Sequence, residues 1–446
     1  MYRPSSRAIL IALAIFLYLP LAYRYGWLLT QKSTVDFPTF WYAGVLTFEQ
    51  DKTPYGAHAF DEASKEMAQR VHPYVYPPPS LLVWWPFSDV PFPVAQTLFL
   101  ISGHLCYLAA VWLLLYKLTP LPSPAELRDR AIAFCLVYLL LYDPAVVTLE
   151  VGQINLVTLL FLCCALVAMR VVDRPAWQIA LPLSIAILLK TYPVLLLLPL
   201  ALRRRWSAMA LTCVFFGVYT ALAGLCLKPE IWLTWWQEVV PKGGYTNDPI
   251  AAAGPWNQNL HGFVTRLFVD GSRFDGQLHY PLLAKALVTG LAFAVCAITM
   301  LAVFRSARRA DQRVCGDFEV AAFLLMIFLV APLSWDHHLV YILPAALLAI
   351  SLLLRGELKG APAAIVAAAL FLVAWRLPLW EPSASFAWST LFISMKLYAA
   401  IALWVFFIVR LWRFGSVKPQ LPKRAKPAAA FTREEQLPVP VKALAS

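Results

Sequence analysis

The sequence predicts an all-α polytopic membrane protein, and three observations predict it. Of its 446 residues, 61% are hydrophobic and 14% charged, against roughly 45–50% and about 25% in a soluble domain. Apolar runs close to the roughly 20 residues of a spanning helix recur along the chain. The basic excess, a formal net charge of +12, falls between those runs, as it does where inter-helix loops face the cytoplasm. Basic residues spread in that way form no single soluble face, so no nucleic-acid partner is expected.

Taken in order, the candidate spans fall at about 8–29, 92–117, 129–148, 154–171, 207–227, 281–304, 317–333, 337–353, 361–379 and 388–411. Arg3 and Arg7 precede the first run, which has the outline of a signal peptide. Ala22-Tyr23-Arg24-Tyr25 after it offers no small-residue cleavage site, so the run reads as a retained helix. Arg203-Arg204-Arg205, Arg305 with Arg308, Arg309 and Arg313, and Arg410 with Arg413 mark cytoplasmic ends. Both termini then lie inside.

The segment 175–201 tests this topology. Both of its flanks are basic, so a single span would strand one cluster outside. It also carries Pro182, Lys190, Pro193 and Pro199. Two short helices meeting near Lys190-Thr191-Tyr192-Pro193, a broken re-entrant pair, keep both flanks inside. Broken helices are tolerated where they line a cavity. The total becomes about 12 membrane helices.

Two long loops fall on the outer side, at about 30–90 and 228–280. The first holds amphipathic stretches near 37–50 and 58–70, then Leu81–Phe87, too short to span and read as interfacial. The second is rich in tryptophan. Residues 1–413 form the membrane domain. Residues 414–446, rich in Pro, Ala and Lys, read as a disordered basic cytoplasmic tail lying against anionic membrane lipid. The eight cysteines, Cys315 among them, show no CxxC spacing and sit mostly in apolar runs. They read as small buried hydrophobes.

Ionisable residues at membrane depth are costly, so each is a candidate site. Asp36 follows the first span directly. It is either a solvated interfacial acid or a general base that takes a proton from an acceptor hydroxyl. Lys190 is an ammonium in an apolar setting, either snorkelling or paired with a phosphate. His337 and His338 open a helix at the outer face. Adjacent histidines diverge by about 100° on a helix and miss the i,i+4 spacing of metal ligands. They suit hydrogen bonds to phosphate or sugar, or plain interfacial packing. Gln153 and Asn155 orient sugar hydroxyls or cap a helix. Asn257, Gln258 and Arg266 lie in the second outer loop, where the two carboxamides contact substrate and Arg266 clamps a phosphate, or the loop is solvated.

The common nucleotide and hydrolase motifs are absent: no Walker A loop, no GxGxxG, no HExxH and no GxSxG. A membrane enzyme without a nucleotide site needs an activated substrate that lives in lipid, and a polyprenyl-phosphate sugar fits. No cofactor or metal is demanded by this chemistry.

A family resemblance accompanies these residues. Asp36-Phe37-Pro38, Tyr42-Ala43-Gly44, Pro54-Tyr55-Gly56, Tyr76-Pro77-Pro78, Gly152-Gln153-Ile154-Asn155, Leu189-Lys190-Thr191-Tyr192-Pro193, Asn257-Gln258-Asn259-Leu260 and Ser334-Trp335-Asp336-His337-His338 run in order. Together they resemble glycosyltransferase family 87, the polyprenyl-phosphate-mannose-dependent mannosyltransferases of the C-type membrane fold. The resemblance implies inverting transfer of a hexose to a lipid or glycan acceptor at the outer face of the plasma membrane. It implies Asp36 as base and Lys190 with His337 or His338 on the donor phosphate. Tyr42, Tyr76 and Trp335 are carried with the matched stretches as substrate contacts. The alternative left open is a lipid-linked sugar transporter or flippase, for which the break at Lys190 would be a midplane site.

Overall fold

The computed structural model describes residues 6–414 except 31–33, 69–70, 123–124, 172–173, 244–248, 270–277, 310–315 and 377–386. Arg3, Arg313, Cys315 and the expected tail beyond Phe414 lie outside the described residues.

Among the described residues every regular element is helical, and pairing of β type is confined to one isolated bridge, Asn257 with Trp335. Six stretches among the described residues are long and apolar enough to cross a membrane: Phe92–Leu118, Leu127–Val151, Trp206–Cys226, Pro281–Ala307, Asp336–Leu354 and Met395–Arg413. Asn155–Met169, Trp177–Leu189, Tyr192–Leu202 and Gly360–Ala374 are apolar but shorter. The first expected span folds as Ser6–Thr30 with Pro20 inside it. The run near 129–148 divides into Ala125–Leu140 and Asp143–Val151. Pro144 stands in the first turn of the second piece, where its missing N–H costs nothing.

The break expected near Lys190 falls there. Trp177–Leu189 stops at Lys190, whose backbone is extended. Pro193 then opens the 3-10 turn Tyr192–Leu196, which runs into Leu197–Leu202. A proline that cannot donate to the preceding turn makes a natural second start.

The Asn155–Met169 helix packs against Trp177–Leu189 and Phe92–Leu113, and Trp177–Leu189 packs against Trp206–Cys226. Asp317–Val330 is the centre of the other half, against Met395–Phe414. It is buried all round from Phe318 to Leu329, as an apolar helix without a polar face must be. Two acids stand in its first turn, Asp317 and Glu319, where the helix dipole favours them. Arg170 pairs with Asp317 and Arg203 with Glu319. The 3-10 segment Asp336–Ile342 touches Asp143–Val151, Asn155–Met169 and Asp317–Val330, and so joins the halves.

The first long loop is ordered around aromatics. Phe40 stacks on Trp84 with centroids 4.5 Å apart, and Phe37 on Phe99 at 4.6 Å. Gly44 lies so close to Trp84 that a Cβ would stand 3.0 Å from its carbonyl oxygen. The expected amphipathic stretches appear as Phe37–Gly44, continued by Val45–Glu49, and as Ala57–Glu66. Their apolar faces close on a second core that includes Tyr42, Tyr55 and Tyr74.

Candidate functional site

The site begins at Gly152. It ends the Asp143–Val151 helix in the left-handed region, at φ 73°, where a side chain is strained. A Cβ there would also stand 2.4 Å from Thr34 Oγ1. The bare glycine lets the segment at Thr34–Asp36 lie on the helix end. Asp36 N–H donates to Val151 O at 2.7 Å, and Thr34 N–H to Gln96 Oε1 at 2.8 Å.

Asp36 stands at the N-cap of Phe37–Gly44, yet its carboxylate makes no capping bond. Its Oδ2 instead accepts from Gln153 Nε2 at 2.9 Å. Burial raises its pKa, while the Gln153 bond and the charges of His72 and Lys190 oppose that rise.

Lys190 is buried at the helix break. Its Nζ donates to Tyr76 Oη at 2.6 Å and lies 5.0 Å from the centroid of the Tyr76 ring. Among the described residues it makes no ion pair. The third wall is the turn beginning at Trp335. Trp335 N–H donates to His338 Nδ1 at 3.2 Å, which fixes the His338 ring against the helix start.

These walls enclose a cavity of about 400 Å³ whose lining includes Asp36, Tyr76, Gln153, Lys190, Trp335 and His338. That volume is within the range of small-molecule sites, about 300–1,000 Å³. A carboxylate, an ammonium and an imidazole therefore meet in one space. This is the layout of a site that deprotonates on one side and holds an anion on another.

Other candidate residues lie elsewhere. Of the two histidines it is His338 that lines the cavity. His337 is buried behind it, its ring edge-on to Trp335 and His338. Tyr42 belongs to the aromatic core. Asn155 is fully buried, and its Oδ1 accepts from Tyr341 Oη at 2.8 Å. Neither solvent nor the cavity takes up the side chains of Asn257, Gln258 and Arg266. Asn257 Nδ2 donates to Ala252 O, and its Oδ1 accepts from Ser334 N–H. Gln258 Nε2 donates to Pro255 O and Ile393 O. Arg266, expected to clamp a phosphate, spends its guanidinium on Gly254 O, Asn257 O and Ser394 Oγ. Buried carbonyls need donors, and these side chains supply them. They build the wall of the cavity from behind.

Two residues that sequence reasoning passed over bear on the site. His72 lines the cavity beside Asp36, and in a polar loop nothing in the sequence marked it. Lys396 is buried and stands 3.4 Å from Asp336 Oδ2. It lies inside the apolar run 388–411, so the depth argument applied to Lys190 would have found it.

The family model for glycosyltransferase family 87 matches residues 74–332, a span that includes Gln153 and Lys190 and stops short of Asp36 and His338. A polyprenol-phosphate-mannose-dependent alpha-(1-2)-phosphatidylinositol mannoside mannosyltransferase of Mycobacterium tuberculosis is 29% identical over 293 residues, 62% of this chain and 61% of that protein. The protein so named in Mycolicibacterium smegmatis is 29% identical over 316 residues, 68% of this chain and 67% of its own. A pentamannoside mannosyltransferase of the latter organism is 26% identical over 274 residues, 61% of this chain and 60% of that protein. The chain thus spans about three fifths to two thirds of the length of the curated relatives it matches. No solved structure matches.

Proposed function

The chain belongs to glycosyltransferase family 87, and from that premise we propose that it is a membrane mannosyltransferase using a polyprenyl-phosphate mannose donor. The acceptor is a hydroxyl of a lipid or glycan. The relatives named for phosphatidylinositol mannosides favour a glycolipid of that kind. One observation carries the reading: Asp36, Lys190 and His338 line the same cavity.

In this mechanism the acceptor hydroxyl gives its proton to Asp36, oriented by Gln153. The acceptor oxygen forms a bond to the anomeric carbon as the bond from that carbon to the phosphate oxygen breaks. Attack opposite the leaving group inverts the centre. Polyprenyl phosphate departs with the bonding electrons. The added negative charge is met by Lys190, which leaves Tyr76 for it, and by a hydrogen bond from His338. Phosphate is a good leaving group, so the scheme uses no general acid and routes no step through a metal.

The reading carries with it a C-type architecture of about 12 membrane helices and a cavity opening to the periplasmic or extracellular side. The broken segment supports this sidedness. It begins near Arg174 and ends at Arg203, while Lys190 and the cavity stand at its middle turn. By the positive-inside rule the two basic ends are cytoplasmic.

The test is transfer of labelled mannose from polyprenyl-phosphate mannose to a phosphatidylinositol mannoside by purified wild-type protein and Asp36→Asn. The variant should lose about 10²–10⁴-fold in rate while its melting temperature holds. Transfer by a folded Asp36→Asn at the wild-type rate would remove Asp36 from the mechanism.

A further inference from the structure

We propose that Lys396 is a positioning residue for the cavity, acting through Asp336 to fix the turn that carries Trp335 and His338. What the turn is positioned to do rests on the proposed mannosyl transfer. That the turn is held from behind rests on the geometry alone.

Lys396 enters the Met395–Phe414 helix just after the short helix Ala387–Ile393. It is not part of the cavity lining. Its Nζ lies 3.4 Å from Asp336 Oδ2, and both side chains are buried, 3% and 6% exposed. Asp336 Oδ1 has no hydrogen-bond partner among the described residues. Asp143, the neighbouring buried carboxylate, is served by another cation, Arg376 at 2.8 Å. The Lys396 charge also reaches Asp143, but Lys396 is the one ion-pair partner of Asp336 among the described residues.

Asp336 opens the 3-10 segment Asp336–Ile342, between Trp335 and His338. Those two are joined by the bond from Trp335 N–H to His338 Nδ1, and both line the cavity. A shift of Asp336 must move them.

The break at Ile393–Lys396 is tied to the turn by a second route. Ile393 O accepts from Gln258, and Ser394 Oγ from Arg266. Gln258 N–H in turn donates to Ser334 O, and Asn257 Oδ1 accepts from Ser334 N–H. Loop, helix break and turn form one closed polar junction. The Lys396–Asp336 contact is its one direct link from the break to the turn among the described residues, and it is ionic. Removing the cation leaves a buried carboxylate without compensation, which is relieved by moving toward water. That movement loosens the turn.

The experiment uses full-length protein in nanodiscs: wild type, Lys396→Met, Lys396→Arg, and Lys396→Met with Asp336→Asn. Hydrogen–deuterium exchange of peptides covering 333–342 is read first, because it needs no substrate. Lys396→Met should raise exchange there and leave peptides of the Phe92–Leu113 helix unchanged. Lys396→Arg should stay near wild type, and the double variant should recover part of the protection. Mannosyl transfer is read second. Lys396→Met should lose at least about tenfold in kcat/KM, as displaced groups at a reacting centre do, with Lys396→Arg retaining most of it.

Unchanged exchange in Lys396→Met overturns the proposal, as does a double variant no better protected than the single. Raised exchange with unaltered kcat/KM overturns it too, because the turn then moves without consequence. A wild type that transfers no mannose sinks the proposed function instead, and the exchange result still decides whether Lys396 holds the turn.

Discussion

Gln153 Nε2 donates to Asp36 Oδ2 at 2.9 Å from the turn that ends the Asp143–Val151 helix. Gly152 makes the approach, and Gln153 uses it to hold a carboxylate that does not cap its own helix. A base aimed in this way is limited by its protonation state. Burial, the largest influence, raises the Asp36 pKa; the Gln153 bond, His72 and Lys190 lower it.

As the proposed base Asp36 works ionised, so transfer should fall as pH drops through its pKa, and the raised value moves that fall upward. The acid limb of kcat/KM should lie above about 4, the ordinary aspartate value. Gln153→Leu removes an opposing influence and should push the limb further up. Initial rates from pH 4 to 9 at low donor concentration measure both. A wild-type limb at the ordinary carboxylate position, or none moved in Gln153→Leu, would count against Asp36 as the titrating base.

Lys190 gives the second prediction. Its Nζ rests on Tyr76 Oη, a neutral acceptor that competes weakly with a phosphate. Lys190→Met should lower kcat by about 10²–10³, the cost of removing one donor to a developing oxyanion. Tyr76→Phe keeps the ring beneath the ammonium and should change donor KM by less than about tenfold. Saturation curves in donor for the two variants separate the effects. Equal losses in both would place the role on the tyrosine hydroxyl.

Asp36, Lys190 and the His337-His338 pair were legible because charge and imidazole stand out in an apolar sequence, and the break at Lys190 followed from basic flanks and prolines. The surroundings of Arg266 and Asn257 were not legible for a physical reason. A polar residue in a loop satisfies either a ligand or a buried carbonyl, and the sequence does not say which. Only the fold shows that Gly254 O and Asn257 O lie within reach of the Arg266 guanidinium. The choice between His337 and His338 was closed to sequence because a 3-10 turn, not an α-helix, sets their directions. The long first loop was read as partly interfacial, and its aromatic core depends on contacts between residues as distant as Phe37 and Phe99.

Gly152 supplies the third prediction. Alanine there adopts φ 73° at a cost of about 1–2 kcal/mol, and its Cβ meets Thr34 Oγ1 at 2.4 Å and Thr34 Cβ at 2.9 Å. Gly152→Ala should lower the melting temperature and, by displacing the Asp36 segment, cut transfer by more than the loss of folded protein explains. Thr34→Gly in the same chain removes the two Thr34 atoms, leaving Phe37 Cβ at 2.9 Å, and should restore part of the activity. An alanine variant with wild-type melting and transfer would show that the segment tolerates the shift.

The last prediction separates scaffold from site. Glu319 is fully buried against Arg203, with Ser306 Oγ donating to its Oε1 at 2.8 Å and Gly316 N–H to its Oε2 at 3.2 Å. Neither Arg203 nor Glu319 lines the cavity. Glu319→Ala takes the buried carboxylate away from Arg203 and should destabilise by about 3–5 kcal/mol. Arg203→Met combined with Glu319→Leu removes both charges and should return most of that stability, because an apolar pair avoids the desolvation penalty that the ion pair only offsets. Melting in detergent reads the stability, and donor KM of the folded fraction should stay at the wild-type value in both. A KM that rises in the double variant while melting recovers would mean that this ion pair reaches the cavity, and that the two ends of the bundle are coupled through the Asp317–Val330 helix.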